Sequence, residues 1–205
     1  MESFSNILKR HNLVNVMVTY KSKDLTIGLK IELNNEPYVI LDINFVNIGR
    51  GQAFNKLKLK NILNDIIIIK TVKIGEKIKS ADVISKNIKF LYKTDDSYCF
   101  FDNILSEYYD VSNNIIAPCK KWMKDGNDYT AIFWNNNIIE IKASKFVELK
   151  VISTDDIKRD FGTHKNSKYA KLETDFLIKV PIFIKENDVI KIDTESDEYI
   201  SRINT

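Results

Sequence analysis

Short stretches of strict apolar–polar alternation, each closed by an asparagine or glycine turn signal, constrain this chain more than any other feature. Leu29, Ile31 and Leu33 alternate with Lys30 and Glu32, and Asn34-Asn35 follows. Asparagine tolerates left-handed backbone, so this pair predicts a tight turn into a second strand over residues 38–45. Residues 54–61 set Leu57 and Leu59 on one face and Lys56, Lys58 and Lys60 on the other, the period of a half-buried strand. Ile66 to Ile69 with Val72 predicts a further strand that stops near Gly75. Another hairpin is expected over residues 131–141, turning through Asn135-Asn136-Asn137. Strands over 146–152, 176–184, 189–192 and 199–203 continue the theme. Only residues 111–123 have partly helical character, and Pro118 restricts them to short pieces. An all-β chain of many short strands folds into small barrels or sandwiches.

The 205 residues are 44% hydrophobic, enough for one or more cores, which excludes disorder as the overall state. The 31 basic and 28 acidic side chains leave +3, which excludes a uniformly basic nucleic-acid coat and an acidic tail protein. Ile66 to Ile69 is the longest strongly apolar block, far short of the roughly 18 to 20 residues of a membrane span. Lys9, Arg10, His11 and Asn12 interrupt any signal-peptide core in the first 16 residues. Cys99 and Cys119 make neither a disulfide framework nor a metal cage. A soluble, cytoplasmic protein without metal is the expectation.

Charge is divided unevenly. Residues 17–81 hold 11 basic and 6 acidic groups, residues 82–144 hold 7 and 9, and residues 145–205 hold 11 and 12. The positive field therefore gathers in the first segment, most sharply from Arg50 to Lys79. Composition tempers this reading. With 31 Ile, 21 Asn and 27 Lys against 4 Arg and 6 Gly, the chain has the bias of adenine- and thymine-rich codons. A retained arginine or glycine is therefore more informative than a lysine or asparagine.

Catalytic patterns are absent from the sequence. His11 and His164 have no cysteine or carboxylate at metal-ligand spacing and belong to no nucleophile motif. No glycine-rich phosphate loop occurs. The pairs Asp95-Asp96 and Asp155-Asp156 read as solvated turns. Lys120 and Lys121 could lower the thiol pKa of Cys119, but the preferred reading is an unreactive structural cysteine. The chain is not expected to be an enzyme.

Asn47-Ile48-Gly49-Arg50-Gly51-Gln52-Ala53-Phe54 holds more information. A strand ending at Val46 enters a Gly-Arg-Gly tip and returns as the lysine-striped strand. Glycine on both sides permits a tight turn that would push one permanently charged guanidinium outward. Lys56, Lys58 and Lys60 behind it share a face suited to following a phosphate backbone. Spacing alone fits an ordinary solvated hairpin equally well.

The strings IGRGQAF and LKLKN (residues 57–61) resemble the first-domain loop of the bacterial translation elongation factor P family. The likeness extends through MVTYKSKDL from Met17, Gly28-Leu29-Lys30-Ile31 and Glu36-Pro37-Tyr38-Val39. It continues with Gly75-Glu76-Lys77, Ala81-Asp82-Val83, Phe90-Leu91-Tyr92, and Tyr98, Phe100 and Asp102. Lys168, Ala170, Ile178, Val180, Pro181 and Ile184 follow the spacing of its third-domain signature, and residues 189–194 and 198–202 are similar to its C-terminal end.

This resemblance implies three small β-barrels in an L shape that resembles tRNA in outline. An SH3-like, KOW-type domain I would span 17–81, and OB-type domains II and III would span 82–144 and 145–205. Such factors bind the ribosome between the peptidyl and exit tRNA sites and relieve stalling at consecutive prolines. The tip, here Arg50 between Gly49 and Gly51, would reach the CCA end of peptidyl-tRNA, and Lys56, Lys58 and Lys60 would contact RNA. The expected partners are ribosomal RNA and peptidyl-tRNA, met by a monomer without a membrane.

Departures from the family pattern narrow what carries over. Many members bear a modified lysine at the tip, a chemistry Arg50 cannot accept. In another branch the tip arginine is rhamnosylated, which stays open for Arg50, although IGRGQAF otherwise resembles the lysine branch and favours an unmodified tip. Ile48 replaces a usual proline. Asp175 and Asn187 replace glycines, and both residue types can adopt left-handed turns. Residues 155–168 have lost most of a Gly-Asp-Thr-Ala character linked to messenger or tRNA contact. Residues 1–16 read as an extension, disordered or untranslated, with Met17 the expected initiator. The alternatives are an elongation factor P-like paralogue and a generic OB-type RNA binder acting off the ribosome. The net acidity of residues 82–205 speaks against the latter.

Overall fold

The computed structural model describes residues 18–47, 52–155 and 167–203. Among them the chain is all-β, built from 16 strands in three curled antiparallel sheets. It divides into two compact units, one ending at Val83 and the other starting at Ile84. The first unit holds one sheet and the second holds two.

The first sheet comprises β1 (Thr19–Lys21), β2 (Lys30–Leu33), β3 (Glu36–Val46), β4 (Phe54–Asn61), β5 (Ile67–Lys73) and β6 (Lys77–Ser80), in the order β1-β6-β2-β3-β4-β5. Asn34 and Asn35 turn between β2 and β3 at φ 51° and 61°. Positive φ at both central residues gives the backbone twist that matches a two-residue hairpin. Ile31, Ile40, Leu57, Leu59 and Val72 are fully buried in the core of this unit. Each such side chain contributes ~1.5–3 kcal/mol by leaving water.

The isoleucine block departs from a simple reading of its apolarity. Ile66, Ile67 and Ile69 are exposed, because β5 is the sheet edge and only Ile68 and Val72 turn inward to the core.

The second sheet comprises β7 (Val83–Lys93), β8 (Ser97–Asp102), β9 (Glu107–Ser112), β10 (Asp128–Trp134) and β11 (Asn137–Lys142), ordered β11-β10-β7-β8-β9. Phe90, Tyr98, Phe100 and Tyr129 fill it with rings 5.3 to 6.4 Å apart. The short helix α1 (Asn113–Ile116) lies against β8, β9 and β11 and buries Ile116 in this core. A single 3-10 turn, Lys120–Trp122, follows it across Pro118, so the helical character expected over 111–123 is confined to two short pieces. Asp96 sits in the β7–β8 turn, where its carbonyl accepts a hydrogen bond from Asn113 at 3.3 Å.

The third sheet comprises β12 (Phe146–Thr154), β13 (Ser167–Leu172), β14 (Leu177–Pro181), β15 (Val189–Asp193) and β16 (Glu198–Ile203), ordered β14-β13-β12-β15-β16. Its edge strands β14 and β16 lie against each other, which closes the sheet on itself. Asp175 and Asn187 turn at φ 64° and 70°. Both residue types tolerate this left-handed backbone. Strand β14 ends at Pro181, shorter than the 176–184 expected, because Ile184 N–H turns back to the Pro181 carbonyl at 3.2 Å.

Candidate functional site: the β3–β4 hairpin

Strands β3 and β4 pair from Tyr38–Asn61 to Val46–Phe54, and β5 runs alongside until Lys73 meets Phe54. The connection 47–53 therefore leaves a three-stranded ribbon. Gly49, Arg50, Gly51 and Ile48 lie outside the described residues, as do His11, His164, Asp156, residues 1–17 and most of the 155–168 loop.

The ends of β4 are fixed by buried polar groups that the sequence reading passed over. Asn55 is 7% exposed, and its side-chain amide donates to the Ser22 carbonyl at 2.9 Å. The Ser22 hydroxyl accepts from the Gly75 N–H at 3.0 Å, and Ser22 N–H donates to the Glu76 carbonyl. Next to the loop, Ala53 accepts from the Ile74 N–H at 3.3 Å. At the other end Asn61 donates to Glu36 at 2.6 Å and accepts from the Leu63 N–H at 2.8 Å. A buried amide left unpaired costs ~1–3 kcal/mol, so these bonds lock strand position as well as add stability. The readable signal was the inward face itself, where Asn55 and Asn61 bracket Leu57 and Leu59.

Lys56 and Lys58 are exposed on the outer face of β4, as the alternation predicts, and neither forms an ion pair among the described residues. Lys60 shares that face but sits 2.6 Å from Asp65. Its charge is therefore partly answered within the chain, while an exposed pair of this kind adds little stability. The outer rows read Asp42–Lys58–Ile69 and Asn44–Lys56–Thr71 across β3, β4 and β5.

The cysteines take no part in this site. Cys99 and Cys119 are free and buried. Burial pushes the Cys119 thiol up to about 12, so the neighbouring lysines do not activate it. Among the described residues no three His, Cys, Asp or Glu side chains gather to hold a metal ion, and no helix is long and apolar enough to cross a membrane.

A six-stranded sheet with a buried clamp under a basic hairpin is thus followed by two five-stranded sheets. Family profiles match in that order: the elongation factor P KOW-like domain at residues 21–78, its OB domain at 83–141 and its C-terminal domain at 147–202. The chain belongs to the elongation factor P family, and is a translation elongation factor.

Two solved structures are similar to it. One is eukaryotic translation initiation factor 5A from Methanococcus jannaschii, 14% identical over 61% of this chain and 94% of that one, with a TM-score of 0.49. The other is a translation initiation factor eif-5a family protein from Naegleria fowleri, 12% identical over 62% of this chain and 99% of that one, with a TM-score of 0.50. At such identity the second likeness speaks to fold alone.

Proposed function

We propose that this factor binds the ribosome between the peptidyl and exit tRNA sites and holds the CCA end of peptidyl-tRNA in a reactive pose, relieving stalling at consecutive prolines. It acts as a cytoplasmic monomer, and Arg50 works without a lysine-type or sugar modification. The observation that carries this reading is the clamped β3–β4 hairpin, whose connection contains Gly49-Arg50-Gly51 and whose outer face presents Lys56 and Lys58, both without an ion pair among the described residues.

Proline's ring restricts the geometry of its own attack. A factor without acid, base or metal still accelerates that step by limiting orientation, at about 1.4 kcal/mol per tenfold. Arg50 would donate charge-assisted hydrogen bonds to the CCA end, and the lysines would contact phosphates. Bond making belongs to the ribosome.

In a reconstituted translation reaction the protein is expected to accelerate a template encoding consecutive prolines and to leave a proline-free template unchanged. Equal stimulation of both templates, or of neither, refutes the reading. Replacing Lys56 and Lys58 with glutamine should lower the slope of log ribosome affinity against log salt by about 1.4 to 1.8, since each lost phosphate contact removes about 0.7 to 0.9. An unchanged slope excludes phosphate contact by this strand.

A further inference from the structure

The outer face of the second sheet holds a group of side chains that the proposed tRNA-facing role leaves unused. Strand register places Tyr92, Cys99 and Asp110 in one row and Lys89, Phe101 and Tyr108 in the next. These residues point away from the core because Phe90, Tyr98, Phe100 and Val111, their neighbours in sequence, fill it. Tyr108 is 68% exposed and Tyr92 53%, while Ile104, in the turn before β9, is 88% exposed. The Phe101 ring braces Tyr108 from one side at 4.8 Å and 49°.

Cys99 faces outward yet is only 3% exposed. Tyr92 and Asp110 flank Cys99 in one row, and Tyr108 stands on the same face of β9 two residues before Asp110. Asp110 is exposed and forms no hydrogen bond or ion pair among the described residues. Lys89 is on the far side of Phe101, two strands from β9 and about 10 Å away, and does not neutralise it.

We propose that this face docks an arginine-bearing segment of a basic protein, with a guanidinium stacked on Tyr108 and paired with Asp110. Two exposed tyrosines with a hydrophobic neighbour have the composition of an interface anchor rather than of ordinary solvated surface. A planar, weakly hydrated guanidinium can use both the ring faces and the carboxylate, whereas a lysine ammonium is a more strongly hydrated point charge. An RNA base would also stack on these rings, but its phosphates would meet an unneutralised Asp110 in a segment, 82–144, of net charge −2. Charge complementarity thus selects a cationic polypeptide.

The test uses the full chain, labelled for amide NMR, and the capped peptide Gly-Arg-Gly-Arg-Gly as probe. Amide shifts are expected in residues 89–93, 99–101 and 108–110. Tyr108→Ala and Asp110→Asn should each weaken binding by about fivefold or more, and Tyr108→Phe should retain it, because the ring supplies the contact. The lysine version of the peptide should bind more weakly. No shifts at these residues, or shifts that persist unaltered in both weakened variants, overturn the proposal. Tighter binding of hexauridylate than of the arginine peptide at the same residues also overturns it, in favour of a base-stacking platform.

Discussion

Replacing Arg50 with alanine is expected to abolish most of the acceleration of proline-run synthesis while ribosome affinity falls by much less. A charge-assisted hydrogen bond is worth ~1.5–3 kcal/mol, which is about ten- to hundredfold in rate if the contact exists only in the reactive pose. Ribosome affinity rests on many phosphate contacts, so loss of one side chain should change it about threefold or less. Arg50→Lys is the informative companion. Lysine keeps the charge but loses the planar fork, so partial activity points to charge and near-complete loss points to bidentate geometry. Both variants are compared with native protein whose intact mass shows no added group on the tip, because a sugar on Arg50 would itself occupy the space in question. Undiminished proline-run synthesis by Arg50→Ala at matched concentration removes the tip from the mechanism.

A clamped hairpin suits such a role. Positioning catalysis is sensitive to small displacements of the positioning group, and a loop is only as well placed as the strands that hold it. Asn55 is two residues from Ala53, and its buried bond to Ser22 ties β4 to the end of β1. The Gly75–Ser22 bond then ties the turn after β5 to the same point. Strands β4 and β5 are thereby fixed to the end of β1 beneath the connection by polar groups with directional bonds, where an apolar core alone would tolerate sliding.

Much of this was legible in the sequence where backbone chemistry is local. Asn34-Asn35 and Asn135-Asn136 specified turns with positive φ, and those turns formed. Asp175 and Asn187 took the left-handed backbone that both residue types tolerate. Strand β4 matched its alternation from end to end because one face is core and the other is water. Strand β5 was different. In a run of four isoleucines no alternation marks the inward face, and only pairing with β4 selects Ile68 and leaves Ile69 74% exposed. Asn55 was obscured by an asparagine-rich composition, although its inward position beside Leu57 distinguished it. The Tyr92–Asp110–Tyr108 group was not legible, since it exists only once three strands are in register.

Trp122 is the most distant from anything local sequence could show, and its removal should have the largest effect on stability. It follows α1, in the connection between strands of the second sheet, yet its indole belongs to the core of the third, with Leu149, Val151 and Ile190. There it packs edge-on to Phe176 at 5.0 Å and 70°. Its carbonyl accepts from the Tyr129 hydroxyl of the second core at 3.0 Å. Lys121 lies over both the Trp122 and Phe176 rings at 5.1 Å and pairs with Asp197, and Lys124 pairs with Glu173 at 2.9 Å. One side chain thus anchors the second sheet to the third, with two ion pairs around it. Trp122→Ala leaves a cavity in a core it does not share by sequence, and should cost ~3–5 kcal/mol. Because that core is the junction, the loss should also be one of cooperativity. The wild-type residues 84–205 are expected to unfold as a unit, whereas the variant should show a separate, earlier transition for the third sheet in calorimetry and in hydrogen exchange of β12 to β16. Lys121→Ala, which removes a half-buried ion pair and the cation–π contacts with two rings but leaves the core filled, should cost clearly less stability than Trp122→Ala and leave one transition. A Trp122→Ala protein that still unfolds in a single step with near-wild-type stability would show that the two sheets are joined by other contacts.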